Sequence, residues 1–185
     1  MFALVAVLLA NADGRSGIAL SRLVGARSDR RIIVGIAFGA FLANASVAAI
    51  AGAAANRLIG QGVAALLVAL AMLSAAAALL WRVPPGTDAA TGAHDAPPAL
   101  AARLLAAQFG DRSHFLIGAL AATSGAGQWA AVGGFVGWIL AMLPFLAFGP
   151  ALAERRAARN LRWLAAAILA LWGIRTALGA FGLIG

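Results

Sequence analysis

The sequence lacks cysteine, tyrosine and lysine, and it has few acids. Without cysteine the chain has neither disulfides nor thiolate metal ligands. Fourteen arginines face six acids, which gives a formal charge of +8. So basic a soluble protein would suggest a nucleic-acid partner. Here 63% of residues are hydrophobic, against about 45–50% in soluble domains. We therefore expect an integral membrane protein with the lipid bilayer, not nucleic acid, as its surroundings.

Six apolar runs approach the roughly 20 residues that a helix needs to cross a bilayer. The first ten residues are too few alone, so the first span must continue through a polar motif. A signal peptide cleaved after Ala12 is the weaker interpretation, because no basic segment precedes the apolar one. The six expected spans are residues 1–23, 32–55, 58–81, 99–122, 129–153 and 163–182.

A polar segment separates two halves of the chain. Residues 83–98 contain four prolines and read as a surface linker. The expected units are thus residues 1–82, the linker 83–98 and residues 99–185, with three spans in each half.

The arginines predict an orientation. They crowd the loops after spans one and five, and they are sparse after spans two and four. Because basic loops stay in the cytoplasm, both termini should lie outside it, and a bacterial inner membrane is the expected location.

Two motifs at matching places indicate an internal repeat. Asn11, Arg15 and Ser16 align with Gln108, Arg112 and Ser113 at one constant offset, and Gly35-x-x-x-Gly39 matches Gly133-x-x-x-Gly137 one residue out of step. Three spans per half is an odd number, so the second half must enter the membrane upside down. The predicted fold is an all-α membrane protein with six transmembrane helices in two inverted three-helix repeats, as in many secondary transporters.

Each motif has the residue types that bind a hard cation. Divalent ions such as Ca²⁺ and Mn²⁺ prefer oxygen ligands, and charged residues inside a membrane usually face an ion path or the bundle interior. Gly14 and Gly110 would allow local breaks that free backbone carbonyls. Alternatively, each arginine neutralises its neighbouring aspartate and leaves no cation site. The candidate ligands are Asp111, Gln108, Ser113, Asp13, Asn11 and Ser16.

Residues 108–113 resemble a known signature. Gln108-Phe109-Gly110-Asp111-Arg112-Ser113 is similar to the Glu-x-Gly-Asp-(Lys/Arg)-(Ser/Thr) motif of the GDT family of Ca²⁺/Mn²⁺ exchangers, also called uncharacterised protein family 0016. The resemblance implies two inverted three-helix repeats, exchange of divalent cations for protons, and Asp111 as a cation ligand. No bound cofactor is implied, since the metal would be cargo.

The chain also differs from that signature. Gln108 and Asn11 stand where the family has glutamate, and Asp13-Gly14 reverses the Gly-Asp order. Two arginines then cancel the two remaining aspartates. Export of another small solute, as in six-span amino-acid exporters, and a non-transporting scaffold therefore remain alternatives.

The other candidate residues favour structural roles. His114 could carry a proton, but a lone histidine is more often a packing residue. The glycine pairs favour close helix contacts, and Trp81, Trp129 and Trp163 fit an interfacial belt. No nucleophile-base pair or phosphate loop is present, so we do not expect an enzyme.

Overall fold

A computed structural model describes residues 1–81 and 94–184. The described residues form eight α-helices, one short 3-10 helix and no strands. They are α1 (Phe2–Ala10), α2 (Arg15–Gly25), α3 (Arg30–Asn56), α4 (Gln61–Leu80), α5 (Pro97–Gln108), α6 (Arg112–Ser124), α7 (Gly127–Phe148), the 3-10 helix Pro150–Glu154 and α8 (Arg156–Ala180).

Four helices, α3, α4, α7 and α8, are long and apolar enough to cross a membrane. The pair α1 and α2, bent by 71° at a short break, makes a fifth candidate if it is one span. The chain is therefore an all-helical protein with four to five candidate membrane spans in the described part. The expected fourth span corresponds to α5 and α6, which are not among these candidates, so the count of six stays a prediction.

Some expected boundaries agree with the helices and others do not. The fifth expected span, 129–153, is wrong at its end, because α7 ends at Phe148 and a 3-10 helix follows. The turn expected at 123–128 lies between α6 and α7, where Gly125 has a φ of 66°. The sixth expected span begins seven residues early, at Arg156 rather than 163. Arginine is a good helix former, and its long side chain reaches the surface from within a helix. The arginines at 156, 159 and 162 therefore belong to the start of α8 and not to the loop before it. Of the expected linker, residues 83–93 lie outside the described residues, and α5 already begins at Pro97.

Both motifs interrupt a helix, as their glycines predicted. Gly14 and Gly110 have φ angles of 71° and 74°, a left-handed region that favours glycine. After each break the helix restarts at an arginine, Arg15 in α2 and Arg112 in α6. These two positions are related by the offset that aligns the motifs.

Each broken helix lies alongside a long helix of the other half. Helix α1 runs in the same direction as α7, since Leu4 lies near Gly137 and the break after α1, at Gly14, lies near Phe145. In the same way α6 runs parallel to α3, because His114 lies near Phe41 and Gly118 lies near Ala48. Gly14 at the first break is thereby buried, whereas Phe109 and Gly110 at the second break stay exposed.

The remaining long helices pair in opposite directions. Helix α4 runs antiparallel to α8, with Gly62 near Ala180 and Leu73 near Gly173. Helices α3 and α7 also run antiparallel, since Ala49 lies near Gly127, while the Phe41 and Trp138 rings stack with centroids 4.4 Å apart.

The two glycine pairs behave differently. Gly133 and Gly137 both lie against α1, and at Gly137 the contact is so close that an added methyl group would overlap the carbonyl of Leu4. Around Gly35 and Gly39 such a methyl group would meet nothing within 4 Å. The predicted close contact is therefore right for α7 and wrong for α3, where this face has no described neighbour.

An arginine network joins the first loop to the start of the second half. The Arg27 guanidinium donates to Asp29 at 2.8 Å and to the Asp95 carbonyl at 2.7 Å, and Asp95 also pairs with Arg103 at 2.9 Å. The Arg27 hydrogen bond holds the pKa of Asp29 below its usual value. The loops after the first and third expected spans therefore lie at the same end of the molecule.

We expect reagents on one side of the membrane to label Ser28→Cys and Ala157→Cys together, and Gln128→Cys only from the other side. The three positions are exposed, and the natural chain has no cysteine to interfere. Labelling of oriented vesicles with a membrane-impermeant maleimide is the measurement. Access to all three sites from one side would contradict the expected topology.

Gly137→Ala should lower the free energy of unfolding by about 1–3 kcal/mol, because the new methyl group overpacks the α1–α7 contact. Gly39→Ala is the matched control. It adds the same methyl group within a helix at an open position, where alanine is the better helix former, so stability should not fall. Thermal unfolding of the two variants in detergent compares them, and equal losses would show that α1 does not pack on Gly137.

Candidate functional site

The two motifs lie next to each other, joined by a chain of hydrogen bonds. The Asn11 amide nitrogen donates to Ser113 Oγ at 2.9 Å, and Ser113 Oγ donates to an Asp111 oxygen at 3.0 Å. Asn11 and Ser113 are almost fully buried. Residues 102 positions apart thus meet at the site where both helices break.

An ion pair also crosses between the motifs. Arg112 Nη2 lies 2.6 Å from Asp13 Oδ1, and both side chains are largely buried, with 13% and 5% of their surfaces exposed. Arg112 is therefore paired with Asp13 and not with its neighbour Asp111, which was the alternative that the sequence left open. Asp111 is the residue before α6 and Arg112 is its first residue, and side chains at consecutive positions do not face each other.

In the first motif the local pairing does occur, but loosely. Arg15 Nε lies 3.4 Å from Asp13 Oδ2, and the Arg15 side chain is 38% exposed. Its Nη2 donates to the carbonyl of Trp81 at 2.8 Å, just after the last residue of α4. Asp13 therefore lies between two guanidinium groups, the closer of which comes from the other half.

Three motif oxygens are buried and receive no hydrogen bond from the described residues. They are Asn11 Oδ1, Asp13 Oδ2 and Gln108 Oε1. For Asn11 the amide orientation is set, because its nitrogen donates to the Val7 carbonyl at 2.8 Å as well as to Ser113. Buried polar atoms are nearly always partnered, so these oxygens can accept a donor or a cation.

The six predicted site residues are not equally close. Asn11, Asp111 and Ser113 form the hydrogen-bond chain, and Asp13 joins them through Arg112. Gln108 ends α5, while Ser16 is half-buried in the first turn of α2, and no described hydrogen bond ties either side chain to the others. Within residues 1–81 and 94–184, no group of three or more acidic, histidine or cysteine side chains is placed to hold a metal.

Aromatic packing beside the motifs was not foreseen. The buried His114 ring lies 4.6 Å from that of Phe41, and its Nε2 lies 3.4 Å from the Phe41 carbonyl. Next to the stacked rings of Phe41 and Trp138, the rings of Phe38 and Phe135 meet edge to face with their centroids 6.2 Å apart. The His114 ring therefore packs against Phe41, and it also lines the cavity described below.

A signal for this cluster was present in the sequence. Phe38 aligns with Phe135, and Phe41 with Trp138, at the offset that relates Arg15 to Arg112. The glycine pairs, one residue out of step, hid this continuation of the repeat.

A cavity of about 470 Å³ adjoins the second break, between α3 and α6. Its lining is apolar except for Asn44 and His114, and the Asn44 amide is already bonded to the Leu105 carbonyl at 2.9 Å. This cavity suits an apolar group. The oxygen atoms that suit a cation lie instead at the breaks.

Compared with protein-family models, curated proteins and solved structures, the chain matches none of them.

Removing one member of the Arg112–Asp13 pair should destabilise the protein unequally. Asp13→Asn strands Arg112 and should cost about 3–5 kcal/mol. Arg112→Gln should cost less, because Arg15 stays near Asp13. The double variant should recover part of the loss, since it leaves no unpaired charge of this pair. Thermal unfolding of the four proteins measures this coupling.

Arg57→Gln is the control for loss of one positive charge, because Arg57 is exposed at the end of α3. It should leave stability nearly unchanged. Additive effects of Asp13→Asn and Arg112→Gln would contradict a direct pair.

Proposed function

We propose that the protein is a secondary transporter that exchanges divalent cations, Mn²⁺ or Ca²⁺, for protons, with its ion site where the two broken helices meet. The observation that carries this proposal is the set of buried oxygens on Asn11, Asp13 and Gln108 that accept no described hydrogen bond. The Asp13 oxygen has only the loose ion pair with Arg15 at 3.4 Å. Carboxylate and amide oxygens are the ligands that Ca²⁺ and Mn²⁺ prefer.

The helix breaks strengthen the electrostatic case for a cation. Helices α1 and α5 both end at the motifs, and the carbonyl end of a helix carries a partial negative charge. Asp111 adds a full negative charge and has Ser113 as its one described hydrogen-bond donor. A carboxylate must lose its proton to bind a metal, so the two ions compete for it and can be exchanged.

The packing of the helices supports the inverted repeat that such a mechanism uses. The helices α1 and α6, next to the breaks, run parallel to α7 and α3 of the opposite halves, and α4 and α8 run antiparallel. Many secondary transporters bind substrate at discontinuous helices between inverted repeats. We propose that α5 and α6 form the sixth span, with both termini outside the cytoplasm of a bacterial cell. The resemblance of residues 108–113 to the GDT signature agrees with this arrangement.

The arginines set a limit on affinity. Asp13 and Asp111 together carry as much charge as Arg15 and Arg112, so the site has no net negative charge. Calcium affinity depends on the number of charged ligands. We therefore expect weaker binding than in a site with four acids.

A second candidate is export of a small zwitterion such as an amino acid. Helices α2 and α6 both start at the motifs with an arginine, and helix amino ends attract carboxylates. In this alternative the arginines and the amino ends of the two helices would bind the carboxylate of the amino acid. The oxygens that accept no described hydrogen bond would bind its amino group. This candidate accounts for the arginines, but not for the resemblance to cation exchangers.

Asp111→Asn should abolish Mn²⁺ and Ca²⁺ flux while the protein still folds, because Asp111 has no described arginine partner that would be stranded. The measurement is uptake of each ion, with internal pH, by the purified full chain in liposomes. Asp29→Asn is the matched control, since it removes a carboxylate that is paired with an arginine in a loop outside the two motifs.

The same liposomes distinguish the alternatives. Movement of amino acids without divalent ions would favour the exporter. No flux of either class would contradict both transport functions and favour a scaffold. Normal Mn²⁺ flux by Asp111→Asn would remove Asp111 from the site.

A further inference from the structure

The Arg112–Asp13 pair bears directly on how the proposed ion site would be filled. A guanidinium 2.6 Å from the carboxylate occupies the position that a bound cation would need. The other Asp13 oxygen is approached by Arg15 only at 3.4 Å. A divalent ion can therefore bind both Asp13 oxygens only if Arg112 moves away from Oδ1.

We propose that Arg112 is a tethered cation that competes with the transported ion for Asp13 and holds the empty site closed. This inference rests on the proposed function, because it requires that a divalent ion binds at the motifs. A guanidinium and a divalent ion repel each other strongly in a low-dielectric interior. Binding of the ion at Asp13 therefore displaces Arg112.

The Arg112 guanidinium can move away from Asp13. Its side chain is more exposed than that of Asp13, 13% against 5%, and its Nε has no described hydrogen-bond partner. A long arginine side chain can carry its charge toward the surface while its base stays in place. The guanidinium is thus held by Asp13 and by no other described carboxylate.

Arg15, unlike Arg112, has a described hydrogen-bond acceptor other than Asp13. It is bonded to the Trp81 carbonyl at 2.8 Å and lies farther from Asp13. Since a helix carbonyl end attracts cations, Arg15 has a partner that a transported ion does not remove. Of the two arginines, Arg112 is the exchangeable one.

Displacing Arg112 would also change how the halves are held. The Arg112–Asp13 contact joins the start of α6 to the break after α1. When an ion fills the site, the Arg112–Asp13 pair would break, and the bound ion would then join the two motifs in its place. Ion loading would thereby be coupled to the relative position of the two broken helices.

The test compares Mn²⁺ binding to the wild type, Arg112→Gln and the control Arg57→Gln by calorimetry on the purified full chain. Arg112→Gln should bind Mn²⁺ at least fivefold more tightly, the low end of typical coupling between competing ligands. Because release becomes slower, its flux in liposomes should fall. Arg57→Gln should match the wild type in both measurements. Arg112→Lys, which keeps the tethered charge, should bind Mn²⁺ more weakly than Arg112→Gln.

The possible failures are distinct. If the wild type binds Mn²⁺ and Arg112→Gln binds it equally or more weakly, the competition is overturned while the proposed function stands. If no variant binds Mn²⁺ or Ca²⁺, the proposed function fails and this inference fails with it. Should Arg112→Gln unfold during purification, added Mn²⁺ should rescue it by neutralising Asp13, and failure of that rescue would overturn the competition.

Discussion

A carboxylate enclosed between membrane helices needs a positive partner, and Asp13 takes its closest one from the other half of the chain. An unpaired charge at the centre of a bilayer costs roughly 2.5–3.5 kcal/mol on insertion scales. The Arg112 pair at 2.6 Å offsets that cost and fixes where the two helix breaks lie relative to each other. The hydrogen bonds from Asn11 to Ser113 and from Ser113 to Asp111 join the same two breaks.

Close helix packing is the second condition for this arrangement. Apolar helices in lipid gain little from hydrophobic association, so small residues that allow backbone approach stabilise their contacts. Gly137 provides this where α7 meets α1, and Gly52 and Gly118 provide it where α3 meets α6. Both contacts flank the motifs, so they hold the two breaks at a fixed separation from the opposing helices.

The sequence was sufficient for features that depend on local chemistry. Hydropathy placed α3 and α4 within a few residues, and the glycines beside the acids predicted both breaks. The partner of Arg112 was missed because pairing across the halves depends on the direction of side chains, and the neighbouring Asp111 looked closer in sequence. The glycine pairs were misjudged on α3 for a related reason. A pattern of small residues does not reveal which helix face has a neighbour.

The aromatic contacts at the α3–α7 crossing join residues that align with each other when the two motifs are aligned. Phe38 touches Phe135, and Phe41 touches Trp138, and in each case the two partners occupy equivalent positions of the repeat. In the proposed inverted repeat, a residue meets its own equivalent only on the two-fold axis, as in an isologous dimer interface. Side chains there must be self-complementary, a condition that flat rings satisfy and charged groups do not.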